Sequence, residues 1–277
     1  MIQLSNITFG YRKKKNLFDN LNLTLEFGKI YGLFGVNGAG KTTLLKQLSG
    51  LLKPSVGSIT INDLHIGNRG ANALATVFLV PEEFDLPPIS THRFVELNAP
   101  FYENFDHSLF ETSMGEFEIE PDENLGALSY GQKKKFLISF ALATQTPLLL
   151  LDEPTNGLDI PSKSQFRKIM AKIASEERCI VISTHQVRDL SSMIDHAVMV
   201  DKGTIVFDHS YRAITEHLTF KYVTGEVPND AIYSEGYASG HNVICKSSND
   251  ESEVDLEILF NGVIKDANSI NQAIKNA

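Results

Sequence analysis

The stretch that most constrains this chain is GVNGAGKTT at 35–43. A short apolar run, KIYGLF at 29–34, ends directly before it, and KTTLLKQLSGLL at 41–52 has helical spacing and closes near Gly50 and Pro54. The pattern is Gly-x-x-x-x-Gly-Lys-[Ser/Thr] between a strand and a helix. Gly35, Gly38 and Gly40 let the backbone turn, so that the N–H groups of Val36, Asn37, Ala39 and their neighbours through Thr43 face inward, where phosphate oxygens fit. The helix beginning near Lys41 adds its positive end. Lys41 is expected to reach the β- and γ-phosphates as a point charge, and the Thr42 hydroxyl to meet Mg²⁺. A glycine turn that merely contains Lys-Thr would not need the flanking strand and helix. The chain is therefore expected to bind a nucleoside triphosphate.

Around this loop the apolar pattern changes character several times. Residues 1–9 and 21–27 alternate and read as antiparallel strands with one wet face, joined by the turn GYRKKKN. GSITIN and ATVFLV read as further strands. From about Pro81 to Gly126, prolines, aromatics and acids with weak helical periodicity suggest an inserted helical piece. From 128 onward the pattern alternates again: a helix over 130–145, the strand LLLLD, the helix SKSQFRKIMAKIASE, the strand CIVIST, a helix at about 186–194, and the pair HAVMVD and TIVFD. Buried all-apolar strands alternating with helices imply a parallel sheet covered on both faces. Residues 211–277 differ in composition, with a possible strand at NVICKS and an amphipathic VDLEILFNGVI.

Two carboxylates stand at the end of one buried strand, in LLLLDEP at 148–154. Asp152 can hold Mg²⁺ through a water, and Glu153 then faces the space where a water would attack the γ-phosphate. The alternative is a solvated acidic pair closing a strand before Pro154. STH at 183–185 closes the next strand. Ligands of parallel sheets bind at the carboxyl ends of the strands, so His185 is expected on the same edge as Gly35 and Asp152, within reach of the γ-phosphate and its water.

LSYGQKKK at 128–135 raises a different question. Ser129 reads as a helix N-cap, and three lysines follow in the first turn, where acidic residues would normally complement the helix dipole. Cations there suit an arriving anion. The bland alternative is a capped helix with solvated lysines.

Composition narrows the partners. The chain has 277 residues, 42% of them hydrophobic, and a formal net charge of -9. That size allows one large α/β domain with an appendage, and the acidic balance argues against a nucleic-acid binder. Cys179 and Cys245 lack metal spacing and read as ordinary thiols of a reducing compartment. The N-terminus shows no apolar signal core, and FLISFALA and LLLL fall short of the ~18 residues of a membrane span. A soluble chain is expected, able to dock on a membrane protein.

Taken together, the phosphate loop, LSYGQ, LLLLDEP, NGLD and STH, in this order and spacing, resemble the ATP-binding subunit of ABC transporters over residues 1 to about 210. LSYGQ about twenty residues before the aspartate separates this family from other P-loop proteins. The resemblance implies an α/β P-loop NTPase fold with a mixed sheet core, an antiparallel β subdomain and an inserted α-helical subdomain (about 84–145, the insert itself spanning 84–127). A small C-terminal α+β appendage, 211–277, follows the nucleotide-binding domain, 1–210.

The resemblance further implies ATP with Mg²⁺, hydrolysed between two domains that meet head to tail, and a separate membrane permease subunit driven from the cytoplasmic face. Ser129, Gly131 and Gln132 would then meet the partner's γ-phosphate, which supplies the anion for the lysine-rich helix. Tyr11 resembles the aromatic that stacks on adenine, with Phe9 more suited to the core, and Asp159 of NGLD resembles a residue that touches the partner.

Two positions depart from the pattern. Tyr130 replaces the first glycine of the usual Leu-Ser-Gly-Gly-Gln. Glu82 in VPEEF, with Glu83 as the register alternative, stands where the family has a metal-contacting glutamine. PFYENFDHSLFE in the insert and DLEILF near 255–260 resemble exporter-type subunits, which gives export as the expected direction.

Overall fold

The computed structural model describes residues 1–12, 15–68, 70–173, 176–247 and 252–275, with residues 68 and 189 described by backbone alone. Lys13 and Lys14 of the basic turn lie outside the described residues.

The chain opens with an antiparallel pair, β1 (Ile2–Phe9) and β2 (Phe18–Leu25). Their alternation of buried and exposed residues is the one-wet-face pattern read from the sequence. A register shift at Asn6, which takes φ 55°, lets Leu4 and Ile7 both face inward. Then come β3 (Lys29–Phe34), the glycine loop and α1 (Lys41–Leu48). β4 (Val56–Ile61) and β5 (Leu64–His65) complete the first sheet in the order β2-β1-β4-β5. The single turn α2 (Ala71–Leu74) leads to β6 (Val77–Val80). The insert carries α3 (Thr91–Asn98), capped by Ser90, and α4 (His107–Glu116), capped by Asp106.

α5 (Tyr130–Ala143) returns the chain to the body at β7 (Leu148–Asp152), followed by α6 (Ile160–Ile173), β8 (Cys179–Thr184), β9 (His196–Asp201) and β10 (Thr204–Ser210). The central sheet runs β10-β9-β3-β8-β7-β6. All its pairs are parallel except β9 with β10, so the sheet is mixed.

Strand periodicity explains how this sheet holds two cores. On β7, Leu149 and Leu151 face α5 and α6 together with Ile180, Ile182 and Phe166. Leu148 and Leu150 face the other way, toward Leu44, Leu45 and the first sheet, with Cys179 and Val181. A strand buried on both faces has no polar position to alternate with, which is why LLLL and CIVI are continuous apolar runs.

One expectation is corrected here, and one is met and extended: the strand at NVICKS and the amphipathic segment after it are both present. The helix at about 186–194 is only a short 3-10 turn, Val187–Leu190. Val187 and Leu190, both buried, are three residues apart, a spacing that suits three residues per turn. The C-terminal region is also richer than its sequence suggested. It holds α7 (Tyr211–His217), β11 (Leu218–Val223), β12 (Ala231–Tyr237), β13 (Gly240–Lys246) and α8 (Leu256–Lys275). The strands form a separate antiparallel sheet in the order β11-β13-β12. α8, with a break at Asp266, lays Ile258, Leu259, Val263 and Ile270 into the same core as α5 and α6. Asn271 fastens it to β10, donating to Val206 O at 2.9 Å and meeting His209 Nε2 at 2.9 Å.

Candidate functional site

The site lies where the central strands end. Phe34 pairs with Thr184, and Asp152 with Ser183, so β3, β7 and β8 finish at one level. The glycine loop, Glu153 and His185 leave the sheet together at that edge.

The loop is held by its own contacts. Ala39 N donates to Val36 O at 3.1 Å, and Lys41 Nζ donates to Gly35 O at 2.7 Å and reaches Val36 O at 3.5 Å. Two glycines are obligatory for different reasons. A Cβ on Gly35 would stand 2.5 Å from the carbonyl oxygen of Val200. Gly40 takes φ 114°, in the left-handed region, with Phe18 packed against it. Gly40 is also the N-cap of α1 and supplies no side chain to its free N–H groups, which leaves them for an anion. Lys41 is 8% exposed, and burial pulls its ammonium below the ordinary range against the pull of Glu153, Asp152 and Glu82.

Opposite the loop, Asp152 is buried, and its carboxylate accepts from the hydroxyls of Ser183 and Thr42. Burial raises its pKa; the two hydroxyls oppose this, and Glu82 and Glu153 add to it. Among the described residues no group of three or more His, Cys, Asp or Glu side chains could hold a metal. What is present is a hydroxyl and carboxylates, hard oxygen donors that suit Mg²⁺ when phosphate and water supply the remaining ligands. A buried carboxylate with a raised pKa is also what a cation would relieve, so the residues fit the metal.

Glu153 is 5% exposed and takes φ 46°, uncommon for a residue with a side chain. Its peptide is pinned on both sides: its N–H donates to Ser183 O at 3.0 Å, and its carbonyl accepts from Lys134 Nζ at 2.8 Å. The carboxylate accepts from Thr184 Oγ1 at 2.9 Å and from the His185 N–H at 3.0 Å, and lies 2.8 Å from His185 Nδ1. The catalytic pair expected from the sequence is thus brought into contact.

The cleft between these elements measures about 490 Å³ and is lined by Tyr11, Lys15, Asn37, Lys41, Glu82 and Glu153, among others. Tyr11 is half exposed, its hydroxyl 3.0 Å from Thr43 Oγ1. Phe9 is in the core, edge-on to Tyr11. A larger, more apolar cavity of about 770 Å³ lies in the helical insert, but it has neither the glycine loop nor Lys41, so the chemistry belongs to the smaller cleft.

The remaining expected site residues sit outside this cleft. Ser129 caps α5 and forms a reciprocal box with Gln132: Gln132 N donates to Ser129 Oγ at 3.3 Å, and Ser129 N donates to Gln132 Oε1 at 2.9 Å. Gly131 is in the first turn beside the carbonyl of Gly157. Asp159 accepts from Ser162 N at 2.9 Å and so caps α6.

The lysine run turns out to have a structural use that neither alternative foresaw. Lys134 is fully buried and donates to the carbonyls of Glu153 and, at 3.0 Å, Asn156, while Lys135 reaches Phe117 O at 3.3 Å. Lys134 shares a helical face with Leu137, Ile138 and Ala141, spacing that already marked it as inward in the sequence. Asn156 was also missed. Its amide donates to Glu82 Oε1 at 3.0 Å.

Residues 18–156 match the family described as "ABC transporter". This chain belongs to the ABC transporter family. It is 31% identical over 227 residues to the energy-coupling factor transporter ATP-binding protein EcfA2 of Staphylococcus epidermidis, covering 74% of this chain and 78% of that one. It is 29% identical to the zinc uptake system ATP-binding protein ZurA of Listeria innocua, over 79% of this chain and 89% of the relative. It is also 29% identical to the Nod factor export ATP-binding protein I of Neorhizobium galegae, over 74% and 60%. Among solved structures, an ATP-binding subunit of an ABC transporter superposes with a TM-score of 0.70 at 24% identity, covering 77% of this chain and 91% of that one.

The ABC fold expected from the motifs is therefore the fold observed. The chain is an ATP-hydrolysing ABC cassette that uses ATP with Mg²⁺ and powers transport. Relatives named for uptake and for export are equally similar, so export does not follow from kinship.

Proposed function

We propose that two copies of this chain, or this chain and a paired homologue, close head to tail over ATP and drive export through a separate membrane permease from the cytoplasmic face. In this reading the N–H groups of 35–43 and Lys41 hold the phosphates, and Tyr11 stacks on adenine. Thr42, Asp152 and Glu82 would hold Mg²⁺, and the ion would supply neutralisation of phosphate charge. Glu153 polarises the attacking water, and His185 orients Glu153 and senses the γ-phosphate. Ser129, Gly131 and Gln132 grip the nucleotide held by the partner, and Asp159 meets the partner while capping α6.

The observation that carries this reading is the convergence of Lys41, the Thr42–Asp152 pair and the Glu153–His185 pair on one sheet edge. Ser129 and Gly131 stand away from that cleft, as a site completed by a second copy requires. Among the described residues no helix is long and apolar enough to cross a membrane, which agrees with a permease on another chain.

Export is read from the exporter-like insert PFYENFDHSLFE and from DLEILF alone. The unit 1–210 is read as the motor and 211–277 as an accessory region. The accessory region meets the turn after His185 at the exposed Arg188–Glu257 ion pair.

The test is ATPase activity against protein concentration. Specific activity that falls on dilution below the pairing range supports a shared site; full activity of a solitary copy overturns it. Direction is tested with the permease in inside-out vesicles, where ATP-driven accumulation supports export and ATP-driven loss overturns it.

A further inference from the structure

Tyr130 stands where the family's signature has glycine, and its contacts lead back to the chain's own nucleotide cleft. Its hydroxyl donates to the carbonyl of Glu82, 48 residues away. Its ring stacks on Phe84, centroids 5.5 Å apart with planes at 25°, and covers Gly157, where a Cβ would come within 3.3 Å of the ring. A glycine could make none of these contacts.

Glu82 is held at its other end as well. Its carboxylate accepts from Asn156 Nδ2, and the Asn156 carbonyl in turn accepts from Lys134 Nζ. Lys134 lies 5.6 Å from the Tyr130 ring centroid and also grips the Glu153 carbonyl. The loop after β6, the start of α5 and the loop after β7 are thus one bonded unit. Its one face, Glu82 and Glu153, lines the cleft of this chain. Its other face, Ser129 to Gly131, is the part that the proposed function turns toward the partner's nucleotide.

We propose that Tyr130 is a positioning residue that couples the two ATP sites of the dimer, transmitting displacement of Glu82 in its own cleft to the Ser129–Gly131 turn. The proposal rests on the shared-site reading above. The physical content is a two-state dimer biased from both sites: a displacement of Glu82 on occupation of its cleft would be carried by the Glu82 carbonyl to Tyr130 and so to the turn that Tyr130 begins. Linkage requires the reverse as well, so nucleotide gripped by that turn must strengthen binding in the chain's own cleft.

The experiment measures ATPase rate against ATP concentration for the full chain, Tyr130→Phe and Tyr130→Gly, with ATP-induced dimerisation followed by light scattering. Tyr130→Phe keeps the stacking on Phe84 and removes the donor. Expected are a Hill coefficient of ~1.5 or more in the parent and ~1 in Tyr130→Phe. The melting temperature of Tyr130→Phe should stay within about 2 °C of the parent's.

A parent Hill coefficient of ~1 overturns the proposal, as does a Tyr130→Phe coefficient equal to the parent's. A purely structural ring would leave Tyr130→Phe indistinguishable and only Tyr130→Gly altered, which also overturns it. Ser129→Arg separates the two levels. If it is inactive while Tyr130→Phe stays cooperative, only the coupling fails; if it is fully active, the shared site itself fails.

Discussion

His185 Nδ1 lies 2.8 Å from Glu153 Oε1, and the backbone N–H of His185 donates to the same oxygen at 3.0 Å. The two residues follow the ends of neighbouring parallel strands, β7 and β8, whose register sets Asp152 opposite Ser183. Sheet geometry therefore aims the carboxylate, and the strained φ of Glu153 turns it out of the strand line toward the cleft.

Glu153→Gln keeps an oxygen for the His185 N–H and removes the proton acceptor. Turnover is expected to fall by about 10²–10⁴, the usual contribution of a general base. ATP should still bind and should trap a dimer visible by size-exclusion chromatography. Undiminished turnover would reassign the base.

Lys41→Ala deletes the one cation inside the glycine loop. ATP affinity, measured by calorimetry, is expected to drop at least about tenfold, the loss of a charge-assisted hydrogen bond of ~1.5–3 kcal/mol. Parental affinity would show that the loop does not hold the phosphates as read.

Ser129→Arg places a bulky cation at the exposed start of α5. The monomer should bind ATP as the parent does, because Ser129 does not line its own cleft, while hydrolysis is lost. Retained hydrolysis would mean that no second copy brings this turn to the nucleotide.

Asp152→Asn should trade activity for stability. Burial raises the Asp152 pKa. A raised carboxyl contributes stability below its unfolded pKa and loses it as pH rises through the folded value, so at neutral pH the buried charge is a cost. The variant is expected to melt higher than the parent at pH 7. The gap should close as pH falls toward the ordinary aspartate range, and Mg²⁺-dependent hydrolysis should be lost. A lower melting temperature at pH 7 would contradict the desolvation argument.

Arg178 is 4% exposed and donates to Leu142 O at 2.9 Å and Ala141 O at 3.0 Å, capping the end of α5; burial pulls its pKa down to about 10. Arg178→Ala leaves those last-turn carbonyls without a donor. The expected loss is about 3 kcal/mol, two hydrogen bonds from a charged group, read as a lower denaturation midpoint in urea. An unchanged midpoint would show that water replaces the guanidinium.

Much of this molecule is legible in its sequence. The glycine loop, the Ser129 cap, the double-faced LLLLD strand and the helical insert are written in residues adjacent in the chain. Local geometry depends on neighbours one to four positions away, and the sequence states those neighbours directly. The helix expected at 186–194 failed because apolar spacing does not distinguish a 3-10 turn from a longer helix when only Val187 and Leu190 need to reach the core. The third sheet was hidden for a related reason: β11 and β12 are half-exposed strands whose partner, β13, is the better-buried one.

Residues close together in the chain spell out the parts: a phosphate loop, a carboxylate pair at a strand end, a histidine at the next, and a capped helix with an odd tyrosine. Folding alone brings Lys134 onto the Glu153 peptide, Tyr130 to Glu82, and His185 onto Glu153. Those contacts join segments 19 to 48 residues apart. Their distances are fixed only once the strands have paired and the sheet's register has set each loop at its place on the edge.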